Sequence, residues 1–352
     1  MLNLIFFILA GCQQHARQSI RLVWTGKQAT GIRIPGSLVK GEQDKNPGSG
    51  LQVFLENGQT PMLGASGFEG PDILFKPLIA LSPGKQYSVL FKKKLIGRVR
   101  VPSPDTADAP VLLALYPAAD SLPENLLKIY LVFSAPMQEG EALHHTYLLN
   151  ERADTISNIF LDLQPELWNR ERTALTIWLD PGRIKRGLIP NERMGNPLKQ
   201  GARYTLLVDA GWKSAGGLPL RQVFKKSFYV NGRDSSTPVP SQWKLALPRT
   251  ETLQPLEIAF NEPLDYFLAG ETLRIVDEKE TPVRGNIILN KTQTGCTFRP
   301  ARAWQAGTYR LQVATYLEDL AGNNLNKVFD RDITVQQKKE DVFIERRFVL
   351  AP

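Results

Sequence analysis

The sequence predicts an all-β protein, a row of tandem antiparallel β-sandwich domains set behind a short apolar leader. Three observations carry this reading. Short runs rich in Val, Ile, Leu, Tyr and Phe recur between clusters of Gly, Pro, Asn and Asp, which is the pattern of half-buried strands and their turns. Long helical periodicity is absent, a single helical turn being readable at 139–149. The length of 352 residues exceeds what one hydrophobic core organises, so two or three domains are expected.

The strand-like runs lie at 51–55, 87–91, 128–133, 175–179, 204–208, 256–260 and 309–313. Two polar, Pro-containing segments, 102–110 and 231–240, read as linkers. They divide the chain into a leader at 1–11, a tether at 12–19, an N-terminal β domain at 20–104, a sandwich at 108–232, a second sandwich at 237–336, and a C-terminal strand or tail at 337–352. In that tail Lys338-Lys339-Glu340-Asp341 reads as a hinge. Phe343, Phe348 and Leu350 are expected to dock or to extend a sheet edge, with Arg346 and Arg347 in water.

The two sandwich segments repeat each other. Ile129-Tyr-Leu-Val-Phe133 followed by Ser134-Ala-Pro-Met137 matches Leu256-Glu-Ile-Ala-Phe260 followed by Asn261-Glu-Pro-Leu264. Gly201-Ala-Arg-Tyr204 matches Gly307-Thr-Tyr309, Gly217 matches Gly322, and Val223-Phe224 matches Val328-Phe329. Phe133 and Phe260 are 127 positions apart but Tyr204 and Tyr309 only 105. The first copy therefore holds an insertion of about 22 residues, placed within 161–197. The N-terminal segment shares the Gly-x-x-Tyr element, as Gly84-Lys-Gln-Tyr87.

A strand ending in Phe133-Ser-Ala-Pro-Met137, a Gly-x-x-Tyr strand and Asp319-Leu-Ala-Gly-Asn-Asn-Leu325 together resemble the bacterial Ig-like domains of S-layer and other surface proteins. The resemblance covers roughly 108–336 and implies Ig-like sandwiches. Tyr204 and Tyr309, each following a glycine turn at a strand start, stand where the tyrosine corner of such folds is expected.

Residues 1–10, MLNLIFFILA, are apolar, of signal-peptide length, and too short to span a bilayer as a stable helix. They lead into Leu9-Ala-Gly-Cys12, which resembles the lipobox of bacterial lipoproteins, although no Lys or Arg precedes the apolar run. The resemblance implies cleavage before Cys12, acylation of its thiol with palmitate-type chains, and a membrane partner reached through that anchor. It places the protein in the cell envelope, on the outer membrane.

The formal net charge of +8 arises from 43 basic and 35 acidic residues spread along the chain. No nucleic-acid module accompanies them, so nucleic acid is not expected as a partner. Two cysteines without a Cys-x-x-Cys pair exclude a zinc or disulfide framework, and Cys296 is expected to be buried. No cofactor is implied.

No catalytic constellation is present, so the chain is read as a non-enzyme. Ser82-Pro-Gly-Lys85 fits Ser-x-x-Lys, but Pro and Gly place it in a loop and not on the helix that chemistry needs. Neighbouring His144 and His145 do not converge on one ion unless the segment turns. Asp319, Asn323 and Asn324 are the residues with the hard oxygen donors of a calcium site, yet one carboxylate in a Gly-Asn turn favours the turn itself. For ligand binding, Trp168 and Trp212 lie in charged, glycine-bearing surroundings that suit exposed platforms, and Arg183, Lys185 and Arg186 form a basic run in the insertion. The reading is a structural, adhesive or scaffolding envelope lipoprotein with an envelope polysaccharide or protein as partner. Its rival is a carbohydrate- or peptide-binding lipoprotein of an uptake system.

Overall fold

The computed structural model describes residues 19–26, 28–39, 50–103, 105–331 and 341–352. The leader, Cys12, the tether through residue 18, and the hinge at 338–340 lie outside the described residues. Two compact units result, Met1–Ala109 with Gly216–Leu218, and Pro110–Ala215 with Pro219–Pro352.

The first unit contains β1 (Arg21–Thr25), β2 (Gln28–Pro35), β3 (Leu51–Leu55), β4 (Gly64–Glu69), β5 (Asp72–Pro77), β6 (Gln86–Phe91) and β7 (Lys94–Arg100). They form two antiparallel sheets, β1-β2-β5-β4 and β3-β6-β7. Side-chain alternation decides which faces meet. In β3, Leu51 and Val53 are buried and Gln52 is not; in β6 the buried pair is Tyr87 and Val89. These residues share a core with Ile32, Ile34, Ile73 and Phe75.

The second unit opens with a middle sandwich. Its elements are β8 (Leu112–Tyr116), β9 (Ser121–Pro123), β10 (Lys128–Phe133), α1 (Ala142–His145), β11 (Thr146–Leu149), β12 (Leu167–Trp168), β13 (Ala174–Trp178), α2 (Pro181–Ile184), α3 (Ile189–Met194), β14 (Arg203–Val208) and β15 (Phe224–Asn231). The sheets run β12-β13-β10-β8 and β11-β14-β15-β9. β9 pairs with β15 in parallel, Leu122 opposite Val230. Leu131, Phe133, Ile177, Leu206 and Trp212 fill the space between the sheets.

A C-terminal sandwich follows, with β16 (Lys244–Ala246), β17 (Leu256–Ala259), α4 (Tyr266–Thr272), β18 (Leu273–Asp277), β19 (Gly285–Leu289), β20 (Gly295–Pro300), β21 (Gly307–Ala314) and β22 (Phe343–Leu350). Its sheets run β16-β17-β20-β19 and β18-β21-β22. Ile258, Phe298, Trp304 and Leu311 lie in its core, together with Cys296, which is 4% exposed. Burial pushes that thiol up to about 12, so it stays protonated and inert.

The internal repeat is thus structural: β10 beside β13 corresponds to β17 beside β20, and β11-β14-β15 corresponds to β18-β21-β22. The extra chain of the middle sandwich falls inside 161–197: β12 and β13 are regular sheet members, and α2 and α3 lie between β13 and β14. One assignment differs from the sequence reading. The strand matching β15 is not built around Phe329 but comes from Phe343–Leu350, beyond residue 336, and pairs with β21 over eight positions from Gly307↔Leu350 to Ala314↔Phe343. Phe329 is drawn instead against the middle sandwich, its ring lying under the Lys185 ammonium at 4.3 Å.

In β22, Phe348 and Leu350 are buried at 6% and 3%. Phe343 stays exposed beside the Arg274 guanidinium. Arg346 does not face water alone: its guanidinium donates to the carbonyls of Pro240 and Trp243, fastening the last strand to the start of its own sandwich.

Candidate functional site

Polar chemistry in the second unit concentrates where the two sandwiches meet. Four residues of the repeat's strands and turns, Tyr130, Lys128, Asp265 and Glu318, build it. The Tyr130 hydroxyl in β10 donates to the Asp265 carboxylate at 2.5 Å. Asp265, only 4% exposed, also accepts the amide of Leu268 as the N-cap of α4. The Lys128 ammonium lies 2.5 Å from Glu318 and 3.4 Å from Asp265. Burial and the neighbouring carboxylates push the Tyr130 phenol far above its ordinary range, so it acts as a donor at every physiological pH. Tyr116 and Tyr266 stack at 3.6 Å, and Gln293, 1% exposed, accepts the amide of Ala118 while donating to the carbonyl of Leu264.

The loop that follows β21 completes the junction. Asp319 closes its turn by accepting the amides of Ala321 and Asn323 at 2.7 and 2.9 Å and the Asn323 side chain at 2.8 Å. Leu320 packs on the middle core. Further along, Asp330 accepts from Arg186 at 2.9 Å and from Arg233 at 2.6 Å.

The structure changes the candidate cation ligands. Asn323 Oδ1 is taken by the amide of Phe329, and Asn324 Oδ1 by those of Asn326 and Lys327. Asp319 meets Asp234 and Glu262 instead, with one carboxylate oxygen of each within 4.8 Å of the others. Asp234 is placed there by Asn125, which donates to its carbonyl at 2.8 Å and accepts its amide at 2.9 Å. Burial, then the charge of Asp234, pushes Glu262 up to about 7. Burial, then Asp234 and Glu262, pushes Asp319 up to about 8 against the Asn323 hydrogen bonds. Hard oxygens of this kind are what calcium or magnesium takes, and such ions fill six or more positions. The spacing of these residues, 234, 262 and 319, gave no local signal.

The tryptophan platforms are corrected by burial. Trp212 is fully buried, its Nε1 donating to the Gln138 carbonyl at 3.2 Å. Trp168 is half-buried against it at 5.8 Å, with Nε1 donating to Glu166 at 2.6 Å. His145 stacks over Trp212 with Nδ1 3.4 Å from the Asp209 carboxylate, while His144 is exposed, so the two do not converge.

The basic run also separates. Lys185 covers Phe329 and Arg186 pairs with Asp330, both at the junction. Arg183 is 6% exposed and turns inward, donating to the carbonyls of Gly195, Asn158 and Asn196 at 3.1, 2.7 and 3.2 Å. It therefore holds the insertion together and offers no hydrogen bond to a ligand.

No curated protein matches the chain in sequence. Among solved structures it is similar to titin domains A168–A170, at 10% identity over 86% of this chain and 92% of that one, with a TM-score of 0.28. It is also similar to the N-terminal part of the bacterial S-layer protein SbsC, at 10% identity over 70% and 45%, TM-score 0.25. The chicken CNTN1 FN1–FN3 domains give 9% identity over 95% and 98%, TM-score 0.22. Residues 234–334 match the bacterial Ig-like domain family, a span running from Asp234 through β21 that takes in the C-terminal sandwich up to its last strand.

Proposed function

We propose that the protein is a non-catalytic envelope lipoprotein, held on the outer membrane through acyl chains on Cys12, in which two Ig-like sandwiches act as one rigid scaffolding or adhesive body. The observation that carries the scaffold reading is the junction: the loop after β21 enters the middle core, and Tyr130, Lys128, Asp265 and Glu318 form a buried network across it. A flexible tandem has no use for such a network, because burying charge is unfavourable unless the geometry is held. Among the described residues no helix is long and apolar enough to cross a membrane. Attachment is assigned to Cys12, where two or three acyl chains hold a protein stably. The rival reading loses Trp212 as an exposed platform, since that ring is fully buried.

Two measurements test this reading. Palmitate labelling and membrane fractionation should show a labelled, membrane-bound protein that becomes unlabelled and soluble as Cys12→Ala; label persisting on the variant would overturn the anchor. In that background, spin labels at the exposed positions Arg170 and Lys279 should give one narrow distance. A broad distribution would overturn the rigid body.

A further inference from the structure

The insertion that distinguishes the middle sandwich from its repeat builds one wall of a cleft of about 470 Å³, within the size range of ligand sites. The opposite walls come from residues 150–152 and 156 after β11 and from the start of β14. Three cations line its mouth, Arg152, Lys199 and Arg203, all exposed. None of the three takes part in an ion pair among the described residues. The one acid on the lining, Glu151, is occupied in accepting the Arg203 amide at 3.0 Å.

Two buried groups give the cleft a bias that surface cations alone would not. Arg183 lies on its lining, 6% exposed, and hydrogen-bonds only to neutral carbonyl oxygens; no carboxylate contacts it directly among the described residues, and Asp180 acts on it only through space. Its hydrogen bonds are filled without a contact ion pair, so it contributes positive potential from a site where solvent screens poorly. Tyr204, 5% exposed, accepts the Lys199 amide at 3.1 Å and has no acceptor for its own proton among the described residues. The matching Tyr309 does have one, donating to the Gln305 carbonyl at 3.1 Å. The cleft thus presents four positive charges against the one carboxylate of Glu151, together with a spare hydroxyl donor.

We propose that this cleft binds an acidic oligosaccharide, with Arg152, Arg203 and Lys199 holding its carboxylates above the buried charge of Arg183. Guanidinium groups take carboxylates in bidentate fashion. Single-stranded nucleic acid needs aromatic faces for its bases, and the only aromatic ring on the lining is that of buried Tyr204. The preference for an anion follows from the cleft itself; the choice of a sugar chain rests on the envelope reading.

The test uses the soluble Cys12→Ala protein, so its outcome is independent of anchoring. Hexagalacturonate is titrated calorimetrically, with maltohexaose, linear polyphosphate and a single-stranded oligonucleotide as comparisons. Hexagalacturonate should bind, more weakly as salt rises, while maltohexaose should not. Arg152→Ala with Arg203→Ala, both at exposed positions, should weaken binding by about tenfold or more without lowering the unfolding temperature. Absence of hexagalacturonate binding, equal binding of maltohexaose, or unchanged affinity in the double variant would overturn the proposal. Tighter binding of polyphosphate or the oligonucleotide would overturn the sugar assignment while leaving the envelope reading to the labelling experiment.

Discussion

The amide of Leu127, at the edge of the middle sandwich, donates to the carbonyl of Leu320 in the C-terminal one at 2.9 Å. The same approach leaves no room at Gly322, whose φ is +80° and where a Cβ would stand 2.3 Å from Leu127 Cδ2. Gly322→Ala is therefore expected to lower stability by about 1–3 kcal/mol through crowding, with the positive φ adding to it. A urea midpoint unchanged from wild type would show that the loop does not need this close approach.

Asp265 is the residue on which the junction's polar network turns. Asp265→Ala leaves the Tyr130 hydroxyl without its acceptor and uncaps α4, and a loss of about 3–5 kcal/mol is expected from removing one partner of a buried charge network. Tyr130→Phe removes a single donor and should cost about 1–3 kcal/mol. Calorimetry should show one transition for the second unit in wild type and two in Asp265→Ala. Retention of a single transition at the wild-type temperature would refute coupling through this residue.

The carboxylates at Asp319 and Glu262, pushed up to about 8 and about 7, keep protons that the unfolded chain releases near pH 4. Because the folded state binds more protons across this window, their contribution is full below about pH 4 and fades as the pH climbs through 7 and 8. Thermal stability should therefore fall with rising pH, by at most about 1.4 kcal/mol per pH unit for each proton. Asp234→Asn removes the charge that both carboxyls feel and should flatten the slope. Equal slopes in the two proteins would discount the cluster.

β22 closes the C-terminal sandwich, so the fragment 237–336 lacks a strand and should fail to fold, whereas 237–352 should unfold cooperatively. Phe348→Ala, at a ring 5.6 Å from Tyr309, should cost about 3–5 kcal/mol. Amides from 343 to 350 should resist hydrogen exchange in the intact protein. Full exchange at the earliest time point would return the segment to the status of a tail.

What was legible in the sequence was local. A glycine two or three residues ahead marks three tyrosines whose hydroxyls each accept an amide four or five residues upstream: Tyr87 from Ser82, Tyr204 from Lys199, and Tyr309 from Gln305. Such a corner is written within one turn, and the strand beside it alternates visibly. Trp212 misled because Asp209 and Lys213 flank it, while the partners that bury it, Phe133 and Gln138, lie some 75 positions away. Phe329 and Phe343 both sit in β-rich runs, and only the eight-position register with β21 separates them. The carboxylate cluster needs the chain already folded, since Asp234 reaches Asp319 by way of Asn125.

The parallel pairing of β9 with β15 bears on how the molecule carries load. β9 is the second strand of the middle sandwich, reached just after β8, and β15 is its last. A pull on those two strands slides one lengthwise against the other, so the pairs at Ser121, Leu122 and Pro123 are strained together instead of parting singly from one end. A body tethered at one terminus and gripped elsewhere would load this pairing lengthwise once β8 has parted from β10.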